Sequence, residues 1–333
     1  HLYLHLLESS NMPEQALPAA DRLEALMPGA GHVVHMPGHI YIRVGQHTRS
    51  IEQNERSIAA DVAFLAAWGD LPFPQSGTYP LSAQNHRRHA YDFIRYSAAI
   101  QGSYAKAVAA AGDAIAHEPE ERIRRGAADK TIAARWLVNK MFGRWDELLA
   151  DERSMEGTLY LDGMWYYAQG SGQVGRDELG AAARSLSQLR AVAEDPDSQT
   201  IQRDSNSVAV LMELAAFGLE GEIMQAQGNL DGAIAAFESA VAIEDTLAYT
   251  EPPDWAQPMR HYLGAALMEA DDAVEAERVY RRDMTWNRND GWALFGLWQS
   301  LEEQGKTEEA QAVYADFQDA WKEADVELSR SRF

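Results

Sequence analysis

GNLDGAIAAFESAVAI, residues 228–243, is the stretch that decides the fold. Gly228 opens a turn, and the residues after it put small Ala233, large Phe237 and small Ala240 on one face of a helix, because positions three and four apart share a face. Small side chains let a second helix come close, and the ring fills the hole in the neighbour. The arrangement recurs downstream. DDAVEAERVYRRD (271–283) carries Ala276 and Tyr280, and GKTEEAQAVYADF (305–317) carries Ala310 and Tyr314. Ala276 and Ala310 are 34 residues apart. Leu263-Gly264 supplies the pair expected on the partner helix.

That period is the length of a tetratricopeptide repeat, a helix–turn–helix unit that buries its apolar face only by stacking on its neighbours. The N-terminal end keeps the same register. ALPAADRLEALMP (16–28) places Ala16, Ala20, Leu23 and Pro28 at second-helix positions, and GQHTRSIEQNERSIAAD (45–61) does so with Gly45, Ser50, Asn54 and Ser57. Ala16 to Ser50 is again 34 residues. GSYAKAVAAAGDAIAHEP (102–119) is a further copy, with Ala107, Ala111 and Ala114. The expected fold class is therefore all-α, an α-solenoid of tetratricopeptide-type helix-turn-helix repeats, with about seven or eight helix pairs and no strand.

Three regions follow from composition. Residues 1–119 hold His-rich repeats, interrupted at about 66–88 by AAWGDLPFPQSGTYPLSAQNHRR, whose Pro and Gly read as an ordered excursion and not as helix. Residues 120–207 hold irregular helical repeats and end in polar AEDPDSQTIQRDSNS (193–207), read as a loop. Residues 208–333 hold the C-terminal repeats with a Pro-rich insertion at about 245–260, where Glu251-Pro252-Pro253 and Pro258 forbid regular helix.

The 333-residue chain carries a formal net charge of -22, with a pI near 4.8. So acidic a balance argues against nucleic acid as a partner and favours cationic ones. There is no cysteine, which excludes disulfides and thiolate metal ligands. No apolar run is long enough to span a membrane. The chain opens on His1 in mid-pattern, which reads as a fragment or a chain whose beginning is not shown.

Eight of the ten histidines lie before residue 90. HVVHMPGHIYIR (32–43) alone holds three. His35 and His39 are i and i+4 on one helix face, and His32 joins that stripe. Shifted by one repeat, His1 and His5 fall on His35 and His39, so adjacent first helices carry a His pair at the same two positions. In repeats of this type those positions line the concave groove. Glu8 extends the first stripe and Arg43 the second. After the insertion, the matching face carries His89, Asp92 and Tyr96, with His86 one turn earlier. Neutral imidazole is a common ligand for Zn, Cu, Ni and Fe, and two pairs on packed helices can converge on one ion or two. Glu8, Asp92 or Asp61 would complete a shell or orient a His through its second nitrogen. Tandem repeats also copy residues by descent, so register alone does not establish a ligand.

His47, His117 and His261 have no second His in register and read as structural or surface residues. Trp136, Trp145, Trp165, Trp286, Trp292 and Trp298 fall at helical spacings and read as core. Glu251, Trp255 and Arg260 read either as a cap over the groove or as a tight turn with a buried ion pair. Gly170-Ser171-Gly172 lacks the strand and the Lys of a phosphate loop. Neither a Gly-x-Ser-x-Gly elbow nor a His-Glu-x-x-His motif is present.

HLYLHLLE (1–8), ALPAADRLEALMPGAGHVVHMPGHIYIRVG (16–45) and NERSIAAD (54–61) resemble a family of bacterial tetratricopeptide-repeat proteins. YTEPPDWAQPMRHYLGAALMEAD (249–271), VYRRDMTWNRNDGWALFGLWQSLEEQG (279–305) and the closing AWKEADVELSRSRF are similar to the same family. So is Asn85-His86; the middle of the chain is only loosely similar. The resemblance implies longer members with further repeats ahead of His1, some with a Cys-x-x-Cys-like segment and an export signal, hence a periplasmic or exported location. This sequence shows neither feature, and a cytoplasmic location stays open. The resemblance carries no reaction with it.

The leading reading is a transition-metal pocket in the N-terminal groove. Its ligands come from His1, His5, His35 and His39, with His32, His86, His89, Glu8 and Asp92 in support. Arg43, Tyr96, Glu251, Trp255 and Arg260 line the groove. Cu or Zn suits such a set, and Fe where carboxylates join. Whether the protein is an enzyme stays open; an open His site would suit an oxidoreductase or a metal-assisted hydrolase. The second reading is a non-catalytic scaffold that binds a peptide or protein in the groove, a basic peptide by charge. The third is an assembly protein, a homo-oligomer with the His clusters at subunit contacts.

Overall fold

Glycine turns join the helices as the repeat pattern requires. Gly45 and Gly102 sit at φ +76° and +74°, a region that L side chains rarely adopt. A Cβ on Gly102 would lie 2.3 Å from the Trp321 ring, and one on Gly45 would lie 2.5 Å from the Arg288 carbonyl. Space and backbone geometry therefore both demand glycine there. The computed structural model describes residues 1–72, 79–151, 157–203 and 205–333. They form two units, the first 1–131 with 286–290 and 321–326, the second 132–285 with 291–320 and 327–333.

In the first unit the helices are α1 (Leu2–Glu8), α2 (Leu17–Leu23), α3 (Gly31–His35), α4 (Pro37–Arg43), α5 (His47–Trp68), α6 (Tyr79–Ile100), α7 (Tyr104–Ala116) and α8 (Glu120–Arg124). Helix α5 packs on α3, α4 and α6, and α6 packs on α7. A small core of Leu4, Ala16, Ala20, Leu23, Met36, Ile40 and Tyr41 seats α1 and α2 against α4. The stretch 31–43 is helical as expected, with an interruption at Met36. Pro37 then begins α4 at the first helical position, where its missing N–H costs nothing.

Much of the expected excursion at 66–88 is helix. Helix α5 runs on to Trp68 and α6 begins at Tyr79. Pro80 falls in the first turn, where proline is tolerated, and 83–88 contain no breaker. Residues 73–78 of the excursion lie outside the described residues.

The second unit comprises α9 (Asp129–Met141) from residue 132 onward, α10 (Trp145–Ala150), α11 (Leu159–Gly175), α12 (Leu179–Glu194), α13 (Pro196–Thr200), α14 (Val208–Ala226), α15 (Leu230–Glu244), α16 (Met259–Glu269), α17 (Ala273–Asp283), α18 (Gly291–Glu303) and α19 (Thr307–Ala320). Successive helices pack pairwise from α14 to α19. Ala233, Phe237, Ala240, Ala276, Tyr280 and Ala310 are buried at the repeat contacts. Each unit is built of helices packed in succession as helix-turn-helix pairs, with only two short strands among the described residues. Tyr314 departs from the pattern and is 38% exposed. It lies on Trp298 of α18, with ring centroids 4.9 Å apart.

The polar stretch 193–207 is more ordered than a loop. Pro196 starts α13, and the Asp195 side chain caps it by accepting from the Asp197 N–H at 2.8 Å. Two short antiparallel strands follow, β1 (Gln202–Arg203) and β2 (Asn206–Ser207). Asn206 donates to Asp254 at 2.7 Å, tying that hairpin to the Pro-rich insertion, which contains no regular helix before Met259. Trp136 and Trp292 are buried, and Trp145, Trp165 and Trp298 pack on the core. Trp286 instead stays 37% exposed, under the Arg43 guanidinium at 3.5 Å. Among the described residues no helix is long and apolar enough to cross a membrane.

Candidate metal centre

Two glycines on α3 and α4 set up the centre. A Cβ on Gly31 would lie 2.0 Å from Asp61 Oδ1, and one on Gly38 would lie 2.8 Å from Asn54 Nδ2. Their absence of side chain lets α3 and α4 press onto α5, so that the short side chains of Asn54 and Asp61 reach the histidines. Ser57 fixes the contact by donating to the Gly31 carbonyl at 2.8 Å.

Seven histidines from α1, α3, α4 and α6, with His1 as the N-cap of α1, form one continuous group. His35 is central: its ring centroid lies 4.5 Å from His39, 4.8 Å from His86 and 4.8 Å from His89. His5 lies 5.4 Å from His39, and His1 lies 5.0 Å from both His5 and His32. One nitrogen from each of His35, His39 and His89 sits within 4.8 Å of the other two, and the same holds for His1, His5 and His32. Phe93 closes one wall, with its ring 4.6 Å from His35 and 4.7 Å from His39.

Oxygen acceptors hold the outward-facing nitrogens. His35 Nδ1 is 2.5 Å from Asn54 Oδ1, and His39 Nδ1 is 2.5 Å from Glu8 Oε2. His5 Nδ1 is 2.6 Å from Glu8 Oε1, and His86 Nδ1 is 3.0 Å from Asp61 Oδ2. The Asn54 amide is oriented unambiguously, because its Nδ2 donates to the Ser50 carbonyl at 2.8 Å. Each of these Nδ1 atoms therefore carries the proton, and in the neutral ring Nε2 carries the lone pair. His35 Nε2 and His39 Nε2 face each other at 2.6 Å. Two lone pairs cannot sit so close without a positive charge between them, supplied by a proton or a metal ion.

The surroundings favour neutral imidazole. Burial, and then the neighbouring His39, His89 and His86, hold His35 well below the ordinary histidine range. Burial, His39 and His86 do the same for His89. Burial and the neighbouring imidazoles bring His32 down to about 4. Burial pushes the Glu8 carboxyl up, but its hydrogen bonds and charge interactions with His39 and His5 outweigh this, and its pKa lies below the usual carboxylate value. The result is neutral donors beside one ionised carboxylate, the protonation state that metal binding requires.

Asp92 receives a hydrogen bond from Arg95 Nε at 2.6 Å, and Phe93 is the residue of that turn that meets the imidazoles. Arg43 donates to the carbonyls of Glu8, Ser10 and Trp286 at 2.8, 3.1 and 3.2 Å; it pins the end of α1 and so places Glu8. Tyr96 is buried with its ring 6.4 Å from His47. Glu251, Trp255 and Arg260 belong to the second unit. There Trp255 packs on Tyr167 at 5.3 Å, and Arg260 forms a two-pronged pair with Asp245 at 2.8 and 2.7 Å. His47 is buried at the start of α5, which fits the structural option of its reading. His261 is buried 3.5 Å from Asp283, and His117 binds the Asp113 carbonyl at 2.8 Å.

Sequence reasoning missed Asn54 as the acceptor for His35. The signal was available in the repeat register. Asn54 occupies the position held by Phe237, Tyr280 and Tyr314 in the other copies, and a polar residue in that hole needs a polar partner.

No protein-family profile matches the sequence, and no curated protein matches it. Among solved structures the chain is similar to the TPR domain of P58(IPK), at 14% identity over 92% of this chain and 91% of that one, with a TM-score of 0.30.

Proposed function

We propose that the first unit is a transition-metal-binding module built on a helical-repeat scaffold. The observation that carries this reading is the 2.6 Å approach of His35 Nε2 and His39 Nε2, with an oxygen acceptor on the Nδ1 of each ring. An ion with tetrahedral bonds of about 2.05 Å to nitrogen sets its ligands about 3.3 Å apart, so an opening of about 0.7 Å from the present 2.6 Å would seat it. His89 supplies a third nitrogen and leaves a position open. An all-imidazole inner set suits Cu(II) or Zn(II) best. Such an open site is the type used for metal-assisted hydrolysis or for electron transfer to substrate.

The test is metal uptake by untagged, chelator-stripped protein beside a His35→Ala/His39→Ala variant. Near-stoichiometric binding in the first and its loss in the second support the reading, and equal uptake by both removes it. A second reading, a peptide- or protein-binding scaffold, is favoured by a separate feature. The second unit contains a pocket of about 410 Å³ lined by Arg190, Glu194, Gln199, Glu213 and Phe217 among others. Its mixed charge and aromatic wall would take an extended peptide. An Arg190→Ala/Phe217→Ala variant that retains every partner of the wild type in a pull-down would remove that reading.

A further inference from the structure

We infer that the cluster is a two-ion centre, with an inner ion at His35, His39 and His89 and an outer ion at His1, His5 and His32, coupled through Glu8. This deepens the metal-binding reading and rests on it. The two triads share no residue, and each independently brings three nitrogens within 4.8 Å of one another. Six imidazoles exceed what a tetrahedral ion accepts. Rings of different triads come within 5.4 Å at His5–His39 and 6.4 Å at His32–His35, so the two triads adjoin. The outer triad repeats the inner one's signature, with His1 Nε2 and His32 Nε2 facing each other at 2.9 Å.

Glu8 links the two. Its Oε1 accepts from His5 of the outer triad and its Oε2 from His39 of the inner one. One carboxylate thus fixes a ligand tautomer in each site and is shared as counter-charge. His86 gives a further, independent indication. Its side chain is only 8% exposed and its Nδ1 is on Asp61, yet its Nε2 has no hydrogen-bond partner among the described residues. That nitrogen belongs to a ring lying 4.8 Å from His35 and 5.4 Å from His32, between the triads. A buried lone pair of this kind calls for a partner, and a metal ion completing its shell with a fourth nitrogen supplies one. In the inner triad His35 and His39 are buried and His89 is partly so, whereas His1 is exposed and His5 and His32 are partly buried. The outer ion is therefore the exchangeable one, and it binds more weakly because the inner ion repels it.

The test is a Cu(II) titration of untagged, chelator-stripped protein, followed by elemental analysis after gel filtration and by electron paramagnetic resonance. The expected wild-type result is two equivalents bound, an isolated-copper spectrum at one equivalent, and a dipole-coupled spectrum with a half-field transition at two. His1→Ala/His32→Ala alters the solvent-facing side of the cluster. It should bind one equivalent with the first affinity unchanged and no half-field signal, and His5→Ala should likewise stop at one equivalent. A wild type that saturates at one equivalent overturns the two-ion centre while leaving the metal-binding reading intact. So does a His1→Ala/His32→Ala protein that still binds two. A wild type that takes up no metal overturns both.

Discussion

Glu8→Gln changes almost no volume and so isolates the chemistry of a single acceptor. The native carboxylate offers one oxygen to His5 Nδ1 at 2.6 Å and the other to His39 Nδ1 at 2.5 Å. Glutamine offers one oxygen and one NH2. Opposite that NH2 a ring nitrogen must accept, so its proton moves to Nε2 and points into the cavity where a lone pair is needed. One of the two histidines is thereby lost as a ligand. Replacing an outer hydrogen-bond partner of a metal-ligating His costs about 10–100-fold in affinity, or about 1.4–2.7 kcal/mol, and loss of the ligand itself makes the upper figure the better guide. Both hydrogen bonds survive in neutral form, so the metal-free fold should lose only about 1–3 kcal/mol. The assay is competition for Zn(II) against a chromophoric chelator, with urea denaturation of the metal-free protein as control. A folded Glu8→Gln protein that binds Zn(II) with wild-type affinity would refute the tautomer argument.

Asn54→Leu leaves the buried His35 Nδ1 without its acceptor; we expect the metal-free protein to lose about 1–3 kcal/mol by urea denaturation and Zn(II) affinity to fall about 10–100-fold, whereas an unchanged affinity would show that Asn54 does not orient the ring. Acid should destabilise the fold through His47, whose pKa burial brings down to about 4 against a partly compensating Asp290. The unfolded chain takes up that proton below about pH 6.5, so the unfolded state binds more protons between about 6.5 and 4. Stability is then lost as pH falls through that window, by about 1.4 kcal/mol per unit and about 3 kcal/mol in all. Urea midpoints at pH 7 and pH 5 check this, and a His47→Gln protein with an undiminished slope would contradict it. In the second unit, a Cβ on Gly264 would lie 2.3 Å from the buried Tyr280 ring; Gly264→Ala should cost about 1–3 kcal/mol from overpacking and lower the melting temperature by several degrees, whereas an unaltered transition would mean that the ring shifts freely.

The repeat framework was legible because its signal is periodic. The positions of Ala233, Phe237, Ala276 and Tyr280 determine which faces close, and all four are buried. The gathering of histidines was legible for the same reason, since a residue copied at one repeat spacing returns on the adjacent helix. Three features were hidden by competing local rules. Pro80 suggested an excursion but occupies a first turn, so α6 carries His86 and His89 on one helix. Register pointed Asp92 at the cluster, but Phe93 meets it, because a one-residue rotation of a helix cannot be read from spacing alone. Arg43 read as a groove cation, yet its guanidinium is engaged by carbonyls of Glu8, Ser10 and Trp286, and the last lies 243 residues away in sequence. Asn54 and Asp61 reach their histidines only because Gly31 and Gly38 remove two side chains from between the helices, a depth of packing that a linear pattern does not contain.

The most direct measurement is elemental analysis of untagged protein purified without chelator, beside the His35→Ala/His39→Ala variant. The account predicts copper or zinc near or above one equivalent in the wild type and its loss from the variant, with the helical signal of both proteins alike. No metal in either protein, and no uptake when Cu(II) or Zn(II) is added to the wild type, would contradict it.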